Sequence, residues 1–411
     1  MRIAIWHDLH SGGGKRALFQ HVQALLAHGH QVETWTPSLR DADWAPLGSL
    51  APEHVIPLDY DERWTLAERA GTRPRAQRLI DAMEAHARVC AAQIDRGGFD
   101  LLFANSSYRV AVSPIGRVSR LPSILYLQEP WRFFYEAMPD LLWAAPAPAG
   151  SGAAALKARW RDRRDVWSAR VQAREEVRNV RAYDRVLCNS YFSRESLLRA
   201  FGRDSQVCYL GIDTEQFDAQ GGPRGDYVIG LGAFSPWKNP RLCIEALAAL
   251  PAPRPRLVWI ANVADASYRA EMEALAARTG VTLDLRVRID DAELRTLLAG
   301  ARAMLYASRL EPFGLAPLEA NACGTPVVAV AEGGVRETVI DGVNGLLVDS
   351  DPASMAAALA RLAADPALAE RLGAEGRRHV ETRWTSAAAG ARLVATLERA
   401  AREHAAQGTA S

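Results

Sequence analysis

The feature that most constrains this chain is an alternation of short β-branched runs with segments of helical periodicity, which occurs twice along the sequence. Such alternation predicts parallel sheets covered by helices. The strand-like runs of the first half are residues 2–6, 31–35, 99–105, 123–128, 184–190 and 206–210. Those of the second half are residues 226–232, 256–261, 282–287, 303–308, 326–330 and 345–348. We therefore predict an α/β fold of two Rossmann-like, doubly wound domains facing a cleft.

The domain limits follow from length and composition. A chain of 411 residues is too long for one ordinary core. Residues 218–226 are rich in glycine and charge, which predicts a linker. We expect an N-terminal domain at 1–217 and a C-terminal domain at 218–384. Residues 385–411 are expected to form a last helix that returns to the N-terminal domain and ends in a frayed tail.

Composition narrows the class of protein. A formal net charge of +1 argues against a generally basic nucleic-acid binder. Five scattered cysteines without a C-x-x-C pair indicate reduced thiols and no zinc site. No apolar run is long enough to span a membrane, and the sequence begins directly on a strand. We expect a cytoplasmic protein that binds no metal and no nucleic acid.

Three glycines, Gly12, Gly13 and Gly14, separate the first strand from the first helix. Glycines at this place let backbone N–H groups approach a phosphate at the positive end of the helix dipole. The spacing fits neither a P-loop, which requires a hydroxyl residue where Arg16 stands, nor the dinucleotide fingerprint, whose last glycine would fall on Ala17. The sequence is therefore compatible with another kind of phosphate site or with a simple turn.

Two glutamates stand near another predicted helix start. Glu311 lies in the loop after strand 303–308, and Pro312 and Phe313 are expected to open a helix that carries Glu319. The first N–H groups of that helix, from Phe313 to Leu315, would form an anion site. The carboxylates would then bind hydroxyls of a phosphorylated sugar. The alternative is that Glu311 complements the helix dipole and Glu319 lies on a solvated face.

The stretch EPFGLAPLEANACGTPVVA (311–329), followed by GGVRETVIDGVNGLLV (333–348), resembles the donor-site signature of the retaining glycosyltransferases of family four, which have the GT-B fold. The resemblance covers most of the chain. It includes HSGGGKRALFQHVQALLAHGHQVE (10–33), NSYFSRESLLRAFG (189–202), YLGIDTEQF (209–217) and GLGAFSPWKNP (230–240). It implies that the N-terminal domain binds the acceptor and the C-terminal domain binds a nucleotide-sugar donor.

The resemblance also implies roles for individual donor-site residues. Glu319 would hold the ribose of the donor, and Glu311 would hold hydroxyls of the transferred sugar. The backbone of Phe313, Gly314 and Leu315 would meet the sugar and its phosphate.

Further roles concern the leaving diphosphate. Lys238 would neutralise its charge, and Gly13 and Gly14 would let the first domain approach the same group. For Lys15 we favour a solvated position at the helix start over a ligand role.

The sequence departs from the family pattern at two positions. Ala233 stands where the family usually has an arginine, so one of the two expected cations for the diphosphate is missing unless Arg241 or another arginine supplies it. Gln128 stands where related enzymes often have a histidine that faces the transferred sugar. Glutamine donates and accepts hydrogen bonds but carries no charge. We keep Gln128 among the catalytic candidates, with Glu311 and Lys238. Acceptor contacts are expected at His7, Trp131 and Arg132, although for His7 a capping role is equally compatible with the sequence.

The resemblance predicts a retaining, metal-independent hexosyltransferase that needs no cofactor. It would move a hexose, with mannose as a candidate, from a nucleotide-diphosphate sugar to a glycan or lipid-linked acceptor in polysaccharide or glycolipid synthesis. Two alternatives remain open. Ala233 and Gln128 suggest a donor-binding subunit that catalyses weakly and needs a partner chain. The same fold would also serve a sugar-nucleotide epimerase or a phosphorylase.

Residues 157–185 carry ten basic and five acidic side chains, with Trp160 and Trp167 seven residues apart. One interpretation is a helix that rests on an anionic membrane, peripheral to its inner face, close to a lipid-linked acceptor. The other is a solvated helix with both tryptophans packed inward, which general residue preferences favour.

Overall fold

The computed structural model describes residues 1–38, 44–137, 140–146, 148–218 and 223–408. Its contacts divide the chain into two compact units. The first comprises Met1–Cys208 with the chain from Gly390 onward, and the second comprises Tyr209–Ala389.

The first unit is a parallel sheet with helices between its strands. Its elements in chain order are β1 (Arg2–Asp8), α1 (Gly13–Ala27), β2 (Gln31–Thr36), a 3-10 turn (Leu47–Ser49), β3 (Glu53–Val55), α2 (Leu66–Arg69), α3 (Arg75–Ile94), β4 (Leu101–Ser107), α4 (Ile115–Val118), β5 (Ser123–Tyr126), α5 (Arg132–Tyr135), α6 (Gly152–Ala182), β6 (Arg185–Cys188), α7 (Tyr191–Phe201) and β7 (Gln206–Val207). The strand order is β3-β2-β1-β4-β5-β6-β7. The order reverses at β1, whose carboxyl end is therefore the switch point at which such sheets bind ligands.

The second unit repeats the plan. Its elements are β8 (Tyr227–Leu231), α8 (Pro240–Ala248), β9 (Arg256–Ala261), α9 (Ala266–Thr279), β10 (Leu283–Val287), α10 (Asp291–Gly300), β11 (Met304–Tyr306), α11 (Leu315–Ala322), β12 (Val327–Val330), α12 (Val335–Thr338), β13 (Gly345–Val348), α13 (Pro352–Ala364), α14 (Pro366–Arg383) and the start of α15 (Ser386–Gly408). The strand order is β10-β9-β8-β11-β12-β13. All strand pairs of both sheets are parallel. The switch point of this sheet lies between β8 and β11.

The predicted fold class is confirmed, since both units are parallel α/β sheets and every run predicted as a strand contains one. The sequence missed β3, because its three residues Glu-His-Val lack an apolar run. Strands covered by helices on both faces are apolar almost throughout, which made the others recognisable.

The segments that begin and end the second unit run side by side. Ile212 forms a parallel bridge with Thr385, and a Cβ on Gly211 would lie 2.4 Å from the Thr385 carbonyl oxygen. The predicted linker, 218–226, thus falls inside the second unit, and its residues 219–222 lie outside the described residues. Of the predicted frayed tail, residues 409–411 also lie outside them.

Candidate functional site

Lys238 and Glu311 come from the two loops that flank the switch point of the second sheet. Lys238 lies in the β8–α8 loop and Glu311 in the β11–α11 loop, and these loops follow adjacent parallel strands. The Lys238 Nζ donates to Glu311 Oε2 at 2.6 Å, and Ser308 Oγ donates to the same oxygen at 2.5 Å. The two charged side chains are 19% and 12% exposed. The structure therefore places a largely buried ion pair where such sheets bind ligands.

The β8–α8 loop is held at both ends. At its start, the buried Trp259 packs against β8 where Gly230 has no side chain, and its indole Nε1 donates to the Gly232 carbonyl at 3.0 Å. At its end, Asn239 caps α8 with its side chain. The stem of Lys238 runs over Gly232, where an added Cβ would lie 3.3 Å from its Cδ and Cε. A side chain at 232 would therefore compete with the lysine for space.

The backbone of two glycines packs directly against the loop of Glu311. A Cβ on Gly333 would lie 2.4 Å from the Glu311 carbonyl oxygen, and a Cβ on Gly334 would lie 2.2 Å from that of Pro312. The Gly334 N–H also donates to the Glu311 carbonyl at 2.6 Å. The close approach of the two backbones thus fixes the path of the loop.

The helix after this loop begins later than the sequence predicts. Helix α11 starts at Leu315 and not at Phe313, because Gly314 has φ of +100°, which is outside the helical region. Gly314 is the N-cap, and a glycine has no side chain to bond the first N–H groups of the helix. Glu319 is 5% exposed, so the alternative that placed it on a solvated face is wrong.

A pair of buried asparagines holds α11 in place, and sequence reasoning missed it. Asn344 Nδ2 donates to Asn321 Oδ1 at 2.9 Å and to the Thr338 carbonyl at 2.9 Å. Asn321 Nδ2 donates back to the Asn344 carbonyl at 3.0 Å. Satisfied amide pairs of this kind fix the packing of their elements, because an unpaired buried amide is costly. The Asn-Gly dipeptide at 344–345 was the only signal, and it indicates a turn rather than a partner.

An aromatic cluster packs against Phe313. The rings of Tyr209 and Trp384 lie 6.1 and 5.5 Å from that of Phe313, and 5.0 Å from each other. Tyr209 OH donates to Glu337 Oε2 at 2.8 Å. The segments that begin and end the second unit therefore brace the residue that precedes the α11 cap.

In the first unit, the structure brings the glycine loop and Gln128 together. Gly13 and Gly14 form the first turn of α1 after Gly12, which has φ of +151°. Gln128 lies two residues beyond β5, half-buried, and its Nε2 is 3.4 Å from the position of a Cβ on Gly14. The expected strand-end position of Gln128 is thus shifted just past the strand.

A buried polar cluster lies beside the glycine loop. His7 is buried, with its Nε2 3.2 Å from Glu53 Oε1 on β3. Lys15 is only 5% exposed, so the expectation that it is solvated is wrong. Burial alone would raise the pKa of Glu53, but the hydrogen bond with His7 and the charges of His7 and Lys15 hold it below its ordinary value. The acid thus stays ionised and compensates the buried lysine.

The amino-acid composition offered a signal that Lys15 is not an ordinary solvated residue. Only three of the 49 basic residues are lysines, at positions 15, 157 and 238, and the rest are arginines. In such a chain a lysine beside glycines marks a position that suits a compact ammonium group rather than a planar guanidinium.

The remaining candidates lie at the start of α5 and near Ala233. Trp131 precedes α5 and stacks on Phe134 with a centroid distance of 6.0 Å, while Arg132 pairs with Glu129. Their acceptor role stays a prediction. Arg241, considered as a substitute for the arginine missing at 233, pairs with Glu271 on α9.

Within the described ranges, no group of three or more His, Cys, Asp or Glu side chains is arranged to hold a metal ion. No helix of that part of the chain is long and apolar enough to cross a membrane.

Comparisons with known proteins identify the family. Residues 11–216, half of the chain, match the model described as Glycosyltransferase Family 4, and residues 213–379 match that of Glycosyl transferases group 1. The chain belongs to glycosyltransferase family 4. The predicted resemblance is thus confirmed, and the two sheets are those of the GT-B fold.

Among relatives of this family 4 protein, the D-inositol 3-phosphate glycosyltransferase of Streptomyces bingchenggensis is 36% identical over 54% of each chain. The match therefore spans about half the length of that relative. The GDP-mannose-dependent alpha-(1-6)-phosphatidylinositol monomannoside mannosyltransferase of Mycolicibacterium smegmatis is 28% identical over 73% of this chain and 86% of its own. Anabaena HepE, solved with UDP-glucose, has a TM-score of 0.70 at 20% identity, with 97% of this chain and 100% of its own covered.

Proposed function

We propose that this protein is a retaining, metal-independent hexosyltransferase that uses a nucleotide-diphosphate sugar as donor and needs no further cofactor. The acceptor is a glycan or a lipid-linked molecule, in polysaccharide or glycolipid synthesis at the cytoplasmic face of a membrane. The observation that carries the proposal is the Lys238–Glu311 pair beside the start of α11, within a family 4 chain.

The groups at this site match the charges that develop during glycosyl transfer. When the bond between the sugar C1 and the phosphate oxygen breaks, negative charge develops on the leaving diphosphate and positive charge on the sugar. Lys238 and the first N–H groups of α11 stabilise the negative charge, most strongly in the transition state. The acceptor hydroxyl forms the new bond to C1 on the same face and gives its proton to an oxygen of the leaving phosphate.

The proposal also assigns binding roles to individual residues. Glu311 accepts hydrogen bonds from hydroxyls of the transferred sugar once Lys238 turns to the diphosphate, and Glu319 holds the ribose. Gly13 and Gly14 offer N–H groups to the diphosphate, and Gln128 beside them contacts the sugar. His7, Trp131 and Arg132 belong to the acceptor side in this proposal.

The donor sugar is proposed to be a hexose, with mannose as the first candidate. The M. smegmatis relative is named as GDP-mannose-dependent, whereas HepE was solved with UDP-glucose, so both nucleotides belong in a test. The names of two relatives also include D-inositol 3-phosphate and phosphatidylinositol monomannoside, and the second of these supports a lipid-linked acceptor.

A second candidate function rests on Ala233 and Gln128. If the missing charge at 233 is not replaced, the chain binds the donor but transfers slowly, and it acts as a donor-binding subunit of a partner chain. This candidate predicts nucleotide affinity without turnover.

The test is slow hydrolysis of a panel of UDP- and GDP-hexoses, without acceptor and with a chelator present. Wild type is compared with Glu311→Ala and with Glu273→Ala, a control carboxylate that pairs with Arg269 on the exposed face of α9. Turnover of one donor that only Glu311→Ala abolishes supports the transferase. Donor binding without turnover, with or without candidate acceptors, favours the subunit. Turnover that appears only when a divalent metal ion replaces the chelator contradicts metal independence.

A further inference from the structure

Helix α6 (Gly152–Ala182) presents a continuous face to solvent. Leu156, Trp160, Arg163, Trp167 and Arg170 follow one another at alternating spacings of four and three residues, and all are exposed. On a helix this spacing places side chains on one face, and it extends over about 20 Å. Leu156 is 66% exposed and the two tryptophans 41% and 42%. The interpretation that packs both tryptophans inward is therefore wrong.

The opposite face of α6 packs against the unit. Its buried side chains are Ala155, Ala169, Glu175, Glu176, Asn179 and Val180. The Ser168 hydroxyl, next to the exposed face, accepts a hydrogen bond at 2.9 Å from the N–H of Ala76 on α3. The orientation of the helix is thus fixed, and the apolar–basic face cannot turn inward without unpacking α3.

The tryptophan nearest the helix start is held at the surface. A Cβ on Gly71 would lie 2.9 Å from the Trp160 ring, so the indole rests on the backbone of the α2–α3 turn. The Arg164 guanidinium stacks between the rings of Trp160 and Trp64, at 5.3 and 4.2 Å from their centroids. Leu66, on the neighbouring α2, is 84% exposed. Aromatic and aliphatic groups therefore extend the face beyond α6.

The charge of this segment is opposite to that of the rest of the chain. Residues 157–174 contain seven basic and two acidic side chains, a net charge of +5. Because the whole chain has a net charge of +1, all other residues together sum to −4. A concentration of positive charge on one helix of an otherwise acidic chain fits an anionic partner.

We propose that this face of α6 docks on the surface of a bilayer of anionic phospholipids. Trp160, Trp167 and Leu156 enter the interface between headgroups and acyl chains, and Arg163 and Arg170 contact lipid phosphates. Alternation of bulky apolar with basic side chains suits this interface. A second copy of the chain fits poorly, since each face would bring its own arginines against those of the other. This inference rests on the proposed function, which includes a lipid-linked acceptor. Docking on the membrane itself requires no sugar transfer.

The first experiment measures flotation of the full chain with phosphatidylcholine vesicles, with and without about 30% phosphatidylglycerol, at about 0.1 M salt. We expect binding only to the anionic vesicles, and its loss in about 0.5 M salt. The double variant Arg163→Gln/Arg170→Gln should lower the partition coefficient about 30-fold, since each basic residue near such a surface contributes a factor of about five. The control Arg278→Gln/Arg399→Gln removes the same charge from exposed sites on α9 and α15 and should bind like wild type.

A second variant measures the contribution of the apolar side chains to vesicle binding separately from that of the charges. Trp160→Ser/Trp167→Ser keeps every charge and should lower binding to anionic vesicles at least tenfold, with unchanged circular dichroism. Equal binding of the arginine variant and its control would overturn the proposal. So would wild-type binding to a soluble polyanion but not to vesicles, or a dimer in sedimentation that the tryptophan variant dissociates. No donor or acceptor is present, so these results are independent of whether the chain transfers a sugar.

Discussion

Replacing Lys238 by methionine removes the charge of the ammonium group and keeps an unbranched stem of similar length. In the wild type, the Nζ lies 2.6 Å from Glu311 Oε2, and both groups are largely buried. At that distance two unit charges attract each other by about 6 kcal/mol at an effective dielectric constant of about 20. Desolvation and residual exposure cancel most of this attraction. We therefore expect Lys238→Met to lower the free energy of unfolding by about 1–3 kcal/mol.

The effect on catalysis should be larger than the effect on stability. If Lys238 contacts the leaving diphosphate, its loss removes a charge-assisted donor that acts mainly in the transition state. Removal of one such donor costs about 10²–10³ in kcat, whereas the KM for the donor should change little. Lys238→Arg should recover part of the rate, because it restores the charge with a different geometry.

The assay is the initial rate of donor hydrolysis as a function of donor concentration, which gives kcat and KM separately, together with thermal unfolding. Lys157→Met is the matched control, since Lys157 is exposed on α6. The double variant Lys238→Met/Glu311→Gln should regain stability relative to Lys238→Met, because no unpaired carboxylate remains. A Lys238→Met enzyme with kcat within about threefold of wild type would refute the assignment of Lys238 to the diphosphate.

Three further predictions concern packing and pH. Gly334→Ala, whose Cβ would meet the Pro312 carbonyl at 2.2 Å, should lower donor hydrolysis at least tenfold while circular dichroism is unchanged. Burial lowers the pKa of His21 to about 4, so the unfolded chain binds a proton that the folded chain does not; from pH 7 to 5, wild type should therefore lose about 2 kcal/mol of stability relative to His21→Leu. Burial raises the pKa of Glu176 to about 8, so this carboxyl group alone should lower stability by about 2 kcal/mol from pH 6 to 8; in denaturant titrations, the stability of wild type relative to Glu176→Gln should fall by that amount.

The sequence predicted the architecture because its strongest signals are local. Apolar runs of strand length, separated by helical segments, are what a doubly wound sheet requires. The motif around Glu311 also located the loop that meets Lys238, and the parallel topology explains why residues 73 positions apart become neighbours. The position of the α11 start was less accurate, because Gly314 takes φ of +100° and so the first helical residue is Leu315.

Features that depend on burial were not predictable from local pattern. Lys15, Glu319 and Trp160 have side chains that are polar or bulky enough to occur on either side of a helix. Neighbouring elements decided the outcome: Glu53 on an unpredicted strand compensates Lys15, and Gly71 offers a backbone surface to Trp160. Such pairings join distant parts of the chain, so no window of sequence contains them.

The rarity of lysine in this chain connects the surroundings of Lys15 with those of Lys238. A chain in which arginine supplies all but three of its 49 basic side chains places two of its lysines in buried sites, each beside glycines. At Lys238, a straight stem passes over Gly232 and delivers one ammonium group to a single carboxylate oxygen, which a guanidinium fork would not match. Lys15 is also buried, its charge helps to lower the pKa of Glu53, and Gly14 precedes it in the chain. The burial of Lys15 is the part of this pattern that the local sequence did not predict.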